Sequence, residues 1–222
     1  MNFFSNTLNA KNYMKILKSY KRNFSKEFLI KNYGLFSGDK SIYKHLKIFE
    51  LLKETKNIKG DIIEFGVWNG NNLLFIKKVI DYLNIKKRII GYDSFKGMPK
   101  PDEKNSFIGD LNLLKHIIKF FKLKNIKIIK DNFLNIKEYN NSFKKFSLIY
   151  IDCDLYNTTK LILENCSKKL NKGGFIVFDE GAIGGGEAKA ALEFFKINKK
   201  SYKKVHLKKN YQPDLIFKKI SR

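Results

Sequence analysis

From residue 60 onward, short apolar runs alternate with longer segments of helical spacing, and that alternation leaves few folds open. The runs are Asp61–Phe65 (DIIEF), Arg88–Tyr92 (RIIGY), Ile126–Ile129 (IKII), Phe146–Ile151 (FSLIYI) and Gly174–Phe178 (GFIVF). They lack the strict polar alternation of a strand with one wet face. Between them, Asn71–Tyr82, Leu111–Lys122, Leu155–Leu170 and Glu187–Phe195 carry apolar residues at three-to-four spacing. Strands buried on both faces and separated by helices predict an α/β fold. Right-handed crossovers then give a Rossmann-like, doubly wound, mainly parallel sheet. Lys203–Leu207 and Leu215–Lys218 read as an antiparallel C-terminal hairpin around Lys209–Pro213, which completes seven strands. Residues 1–58 lack proline and read as N-terminal helices, one carrying Tyr13, Ile16, Leu17 and Tyr20 and a second starting near Ser41. The expected division is a helical extension over 1–58 and the α/β domain over 59–222.

In such folds ligands bind beyond the carboxyl ends of the strands. The first strand ends in Glu64-Phe65-Gly66-Val67-Trp68-Asn69-Gly70, where two glycines permit a tight turn and close backbone approach. Glu64 is an acid placed to accept from an ammonium or a hydroxyl. The second strand ends in Tyr92-Asp93-Ser94, and Asp93 lies 23 residues past Gly70. That spacing matches the acid that grips ribose hydroxyls in nucleotide-binding units, and helix capping is the alternative role. The third ends in Asp131-Asn132-Phe133, a polar pair and an aromatic suited to an adenine edge and face, or to a helix start over a core ring. The fourth and fifth end in Asp152-Cys153-Asp154 and Asp179-Glu180. Four carboxylates on one rim repel unless a cation offsets them, and hard oxygen donors suit Mg²⁺. Against that stands the plainer role of Asp154 as a helix cap and Glu180 as a solvated side chain.

The charge is +24, with 45 basic against 21 acidic residues. Only Arg22, Arg88 and Arg222 are arginines, and the lysines are spread along the chain. Forked recognition of phosphates and base edges prefers arginine. The pattern therefore favours a solvated lysine surface over a nucleic-acid footprint, while still attracting anionic small molecules. No apolar run reaches the length of a membrane span. The first ten residues lack the pattern of a secretory signal. Two cysteines without zinc spacing point to a reducing cytoplasm.

Taken together, these stretches resemble the macrocin O-methyltransferase family of sugar-tailoring enzymes. The carrying segments are 60–70, 92–99, Asp152-Cys153-Asp154-Leu155-Tyr156 with the residues up to Thr159, and 173–180, in the family's order. The resemblance implies S-adenosylmethionine held by Glu64, Gly66, Trp68, Gly70, Asp93 and Ser94, with Asp131 and Asn132 near the adenine and Asp152 at the rim. It implies Mg²⁺ on Asp152, Asp179 and Glu180, where the family carries two aspartates and this chain has Asp179-Glu180. It implies methyl transfer to a sugar hydroxyl, on a nucleotide-linked or glycan sugar of natural-product or surface-polysaccharide assembly. Asp152, Asp154, His116, His45 or a lysine are the candidates for moving the proton, with a packed structural role as the alternative for the two histidines. A second copy of the chain is a candidate partner. An RNA methyltransferase, favoured by charge alone, and a non-catalytic protein on the same fold are the alternative readings.

Overall fold

The computed structural model describes residues 25–35, 39–99, 106–139, 141–182, 184–207 and 211–221. The helix expected around Tyr13 and Tyr20 falls outside them. The chain divides into two compact units, Met1–Lys47 and Ile48–Arg222.

In the first unit, helix α1 (Lys26–Lys31) is capped by Ser25, whose hydroxyl accepts from the Phe28 amide at 3.0 Å. A 3-10 turn, Tyr33–Leu35, follows. Helix α2 (Asp39–Glu54) starts two residues ahead of the expected Ser41. Its apolar side is divided: Ile42 and Leu46 are exposed, whereas Ile48, Leu51 and Leu52, in the second unit, are buried.

The second unit carries a seven-stranded sheet. Its strands are β1 (Asp61–Phe65), β2 (Ile89–Asp93), β3 (Ile126–Lys130), β4 (Phe146–Ile151), β5 (Leu170–Phe178), β6 (Tyr202–Lys204) and β7 (Leu215–Lys219). Their spatial order is β3-β2-β1-β4-β5-β7-β6. The first five pair in parallel, while β7 runs antiparallel to both β5 and β6. The sheet reverses direction of growth between β1 and β4, the switch point of a doubly wound fold. β1 and β4 match the sequence expectation residue for residue. β2 is shifted by one and takes in Asp93, and β5 starts four residues early, at Leu170.

Helices α3 (Asn71–Tyr82), α4 (Leu111–Phe120), α5 (Tyr156–Cys166) and α6 (Gly186–Ile197) cover the sheet. Alternate strand residues feed two cores. Ile63, Phe65, Ile149, Ile151 and Phe178 pack with Ile162 and Leu163 of α5 and Phe195 of α6. Ile62, Leu148, Tyr150, Phe175 and Val177 pack with Leu73 and Ile76 of α3 and Leu114 of α4. A fully buried side chain of this size contributes about 1.5–3 kcal/mol, so both faces of the sheet are sealed by apolar burial. Among the described residues, no helix is long and apolar enough to cross a membrane.

Candidate functional site

The ladder hydrogen bonds continue past the strands and line up the residues that follow them. Asp131 N–H donates to Asp93 O, Gly66 N–H to Tyr92 O, Asp152 N–H to Phe65 O and Asp179 N–H to Ile151 O, at 2.8–3.1 Å. One row of bonds therefore brings the expected residues of five strands onto a single rim.

On the β1–β2 half, one carboxylate organises the turn. Asp93 Oδ2 accepts from the amides of Val67 (2.6 Å) and Trp68 (2.8 Å), and its Oδ1 accepts from Phe95 (2.6 Å). Trp68 and Phe95 are left-handed, with φ of 48° and 55°. Side chains at such φ are disfavoured, and charge-assisted bonds to their amides offset that cost. Gly66, with φ 87°, is the joint to the other half: a Cβ there would stand 1.8 Å from the Asp152 carbonyl oxygen. Asn69 Oδ1 accepts from the Asp110 amide at 2.8 Å, and the Trp68 ring meets the Phe107 ring edge-on at 6.1 Å. The segment after β2 is thereby tied to the glycine turn.

Glu64 is buried, and its Oε1 accepts from Asn72 Nδ2 at 3.1 Å. Asn72 Oδ1 is buried and accepts no hydrogen bond among the described residues. Asp131 is committed to the 3-10 helix Phe133–Tyr139: its carboxylate accepts from the Asn132 amide, Asn135 Nδ2 and the Tyr139 hydroxyl. Those three bonds hold its pKa below the ordinary range. Asn132 is exposed beside it, and Ser94 Oγ accepts from the Lys96 amide.

On the β4–β5 half a second carboxylate plays the corresponding part. Glu187, in the first turn of α6, is 1% exposed. Its Oε2 accepts from the amides of Cys153 (3.0 Å) and Asp154 (3.3 Å), and its Oε1 accepts from Glu180 (3.1 Å). Burial pushes the Glu187 carboxyl up to about 8 against these bonds. Asp154 is left-handed, with φ 56°. The Tyr150 hydroxyl donates to Asp179 Oδ1. Gln212 Nε2 donates to Glu180 Oε1 at 2.5 Å, and Asp214 Oδ1 accepts from the Ala182 amide at 2.8 Å. The β6–β7 connection thus reaches the rim. Desolvation, with the like charges of Asp154, Asp179 and Asp214, holds Glu180 above the ordinary carboxylate range.

Asp152, Asp154, Asp179 and Glu180 therefore share the rim, as the sequence predicts. They are not gathered as a coordination group: among the described residues, no three His, Cys, Asp or Glu side chains are placed to hold a metal ion. Two of these acids accept from protein donors, Asp179 from the Tyr150 hydroxyl and Glu180 from Gln212 Nε2. His116 is not brought to the rim. Leu114 of the same helix is the residue that meets Gly70, and two positions along a helix is about 200° of rotation. His116 accordingly lies exposed, stacked on Phe120 at 6.3 Å. His45 belongs to the unit Met1–Lys47. The sequence reading missed Glu187, Tyr150, Gln212 and Asp214. The available signal for Glu187 was an acid in the first turn of a helix directly after a glycine run.

The macrocin-O-methyltransferase (TylF) family model matches residues 38–206. The 8-demethyl-8-(2,3-dimethoxy-alpha-L-rhamnosyl)-tetracenomycin-C 4'-O-methyltransferase of Streptomyces olivaceus is 27% identical over 143 residues, 57% of this chain and 54% of that protein. The mycinamicin III 3''-O-methyltransferase of Micromonospora griseorubida is 22% identical over 144 residues, 57% of each chain. The chain spans about half the length of these curated relatives. Among solved structures, that of CalS11, a TDP-rhamnose 3'-O-methyltransferase of calicheamicin biosynthesis, superposes with a TM-score of 0.71 at 22% identity. That match covers 94% of this chain and 92% of the other, and it is a likeness of fold.

Proposed function

The chain belongs to the macrocin-O-methyltransferase family, and from that premise we propose that it transfers the methyl group of S-adenosylmethionine to a sugar hydroxyl. The observation that carries the proposal is the two-part rim. A glycine turn clamped by an acid stands beside a group of carboxylates, across the switch point of the sheet.

In this reading the β1–β2 half holds the cofactor. The residues fit a ligand that carries an ammonium and ribose hydroxyls. Buried Glu64 and the unused acceptor Asn72 Oδ1 suit the ammonium. Asp93 Oδ1 spends one lone pair on Phe95 and keeps another for a ribose hydroxyl. Gly66 and Gly70, left-handed and packed on Asp152 and Leu114, shape the turn beside it, and Trp68, Ser94 and Asn132 belong to the same half. Asp131 acts through its turn, since its carboxylate is largely committed there.

The β4–β5 half faces the acceptor. The cofactor supplies an electrophilic methyl on a sulfonium, and transfer needs the attacking oxygen in line with it at near-contact distance. Asp152 and Asp154 sit at the joint of the halves and are the proposed proton acceptors for that hydroxyl. Oxygen donors at Asp152, Asp179 and Glu180, with the repulsion felt at Glu180, fit a hard divalent cation in chemistry and charge. Mg²⁺ held there would orient neighbouring hydroxyls and lower the pKa of one of them. Gln212 holds one of the two Glu180 oxygens, Oε1, by donating to it. The acceptor proposed is a nucleotide-linked or glycan sugar, and the lysine-rich surface favours one that bears a diphosphate.

The test is transfer of radiolabelled methyl from S-adenosylmethionine to a panel headed by dTDP-rhamnose, with Mg²⁺ and with EDTA. Labelled sugar in the Mg²⁺ arm alone is the expected result. Equal labelling in both arms removes the metal from the proposal. Labelling of RNA and of no sugar overturns the acceptor.

A further inference from the structure

Glu187 stands outside the residues that the proposed reaction uses, yet it is the most buried acid at the acceptor half of the rim. Its two oxygens gather three backbone amides from two separate loops: Cys153 and Asp154 after β4, and Glu180 after β5. The carrier is the first turn of α6, not either loop. Close approach of that turn is built in. A Cβ on Gly186 would stand 2.3 Å from the Tyr156 nitrogen and 2.8 Å from the Asp154 carbonyl oxygen. Asp154 holds a left-handed backbone, which Asp adopts more readily than most residues, and its amide is one of the three donors. Without an acceptor at this point, three buried or half-buried amides would lose their partner at once, and the left-handed turn would lose its tie.

We propose that Glu187 is a positioning residue: it fixes the loop bearing Asp152 and Asp154 against the loop bearing Asp179 and Glu180, so that the acceptor half of the rim is one rigid body. The consequence for catalysis rests on the methyltransferase reading, whereas the tie itself does not. Glu187→Gln keeps the size but places an NH₂ where one oxygen accepted, so one loop loses its acceptor and meets a donor. Glu187→Asp keeps both carboxyl oxygens but is a methylene short of spanning both loops.

The experiment is amide hydrogen exchange of the full chain, read by mass spectrometry. Peptides over 150–156 and 178–184 report the two loops, and a peptide over 89–93, in β2, is the reference on the cofactor half. The expected result in both variants is at least tenfold faster exchange in the two loops, with the reference unchanged. S-adenosylmethionine affinity should stay within twofold, and kcat for methyl transfer to dTDP-rhamnose should fall at least tenfold. Unchanged exchange in both loops overturns the tie. Faster exchange in all three peptides also overturns it, because that is general loosening. Loosened loops with unchanged kcat overturn the positioning role. A wild type that transfers no methyl counts against the preceding reading alone, and exchange still decides the tie.

Discussion

The two halves of the rim solve the same structural problem with one carboxylate each, and they solve it from different places. Asp93 closes the β1–β2 half from within: it ends a strand and collects amides from its own loop and from the neighbouring turn. Glu187 closes the β4–β5 half from outside, reaching in from a helix to collect amides from two loops. The first half offers glycine turns and keeps its carboxylate half-buried. The second crowds acids around a buried one, which sits at about 8. A bond to an ionised carboxylate contributes roughly 1.5–3 kcal/mol, which applies to the Asp93 clamp, whereas the bonds to Glu187 reach that strength only as pH rises past about 8. The lesson is that a rim built from loops can be rigid where a single acceptor serves several amides.

The joint between the halves is the place where the comparison breaks first. Gly66→Ala puts a Cβ against the Asp152 carbonyl at a φ of 87°. Loss of about 3 kcal/mol or more is expected, checked by urea unfolding, because backbone must move on both halves. A cost under about 1 kcal/mol would mean that the halves are not in firm contact there.

Asp93→Asn sharpens the contrast. An amide keeps one acceptor but cannot serve amides on both sides, so the glycine turn loosens. S-adenosylmethionine binding should weaken at least tenfold, about 1.4 kcal/mol, in calorimetry. A smaller change would assign the turn's order to other bonds.

Asp214 tests the electrostatics of the acid half without touching the proposed metal ligands. Its carboxyl is raised, first by burial and then by the charge of Asp179. An acid raised in the fold contributes stability that is complete below its unfolded value and is lost as pH rises through its folded value. Asp214→Asn keeps the oxygen that accepts from Ala182 but cannot ionise. The variant's Tm should therefore gain on the wild type by a few degrees as pH climbs from about 4 to 7. A gap constant with pH would contradict the raised value. The smallest effect expected is at His116: His116→Ala should leave methyl transfer within twofold, since the ring lies on the outer face of α4.

Much of this was legible in the sequence because the strands are apolar without interruption. β1 and β4 followed from runs such as FSLIYI, and the rim acids followed from standing directly after them. The start of β5 was hidden because Asn171, Lys172 and Gly173 interrupt the apolar run, although Leu170 pairs with Phe146. Spacing singled out Asp93 as an acid for ribose hydroxyls, but it gave no sign that the carboxylate would be shared among three amides. Glu187 was hidden for a physical reason. An acid in the first turn of a helix is ordinary, and only the fold reveals that this turn is pressed against two loops. Gln212 and Asp214 were hidden because the hairpin connection meets the rim from a distant part of the chain.

The most direct test of the division of labour is calorimetric titration of S-adenosylmethionine into three proteins: wild type, Asp93→Asn and Glu180→Gln. Binding by the wild type, at least tenfold loss in Asp93→Asn and no more than a twofold change in Glu180→Gln is the predicted result. No binding by the wild type, or equal loss in both variants, would contradict a cofactor half and an acceptor half on one rim.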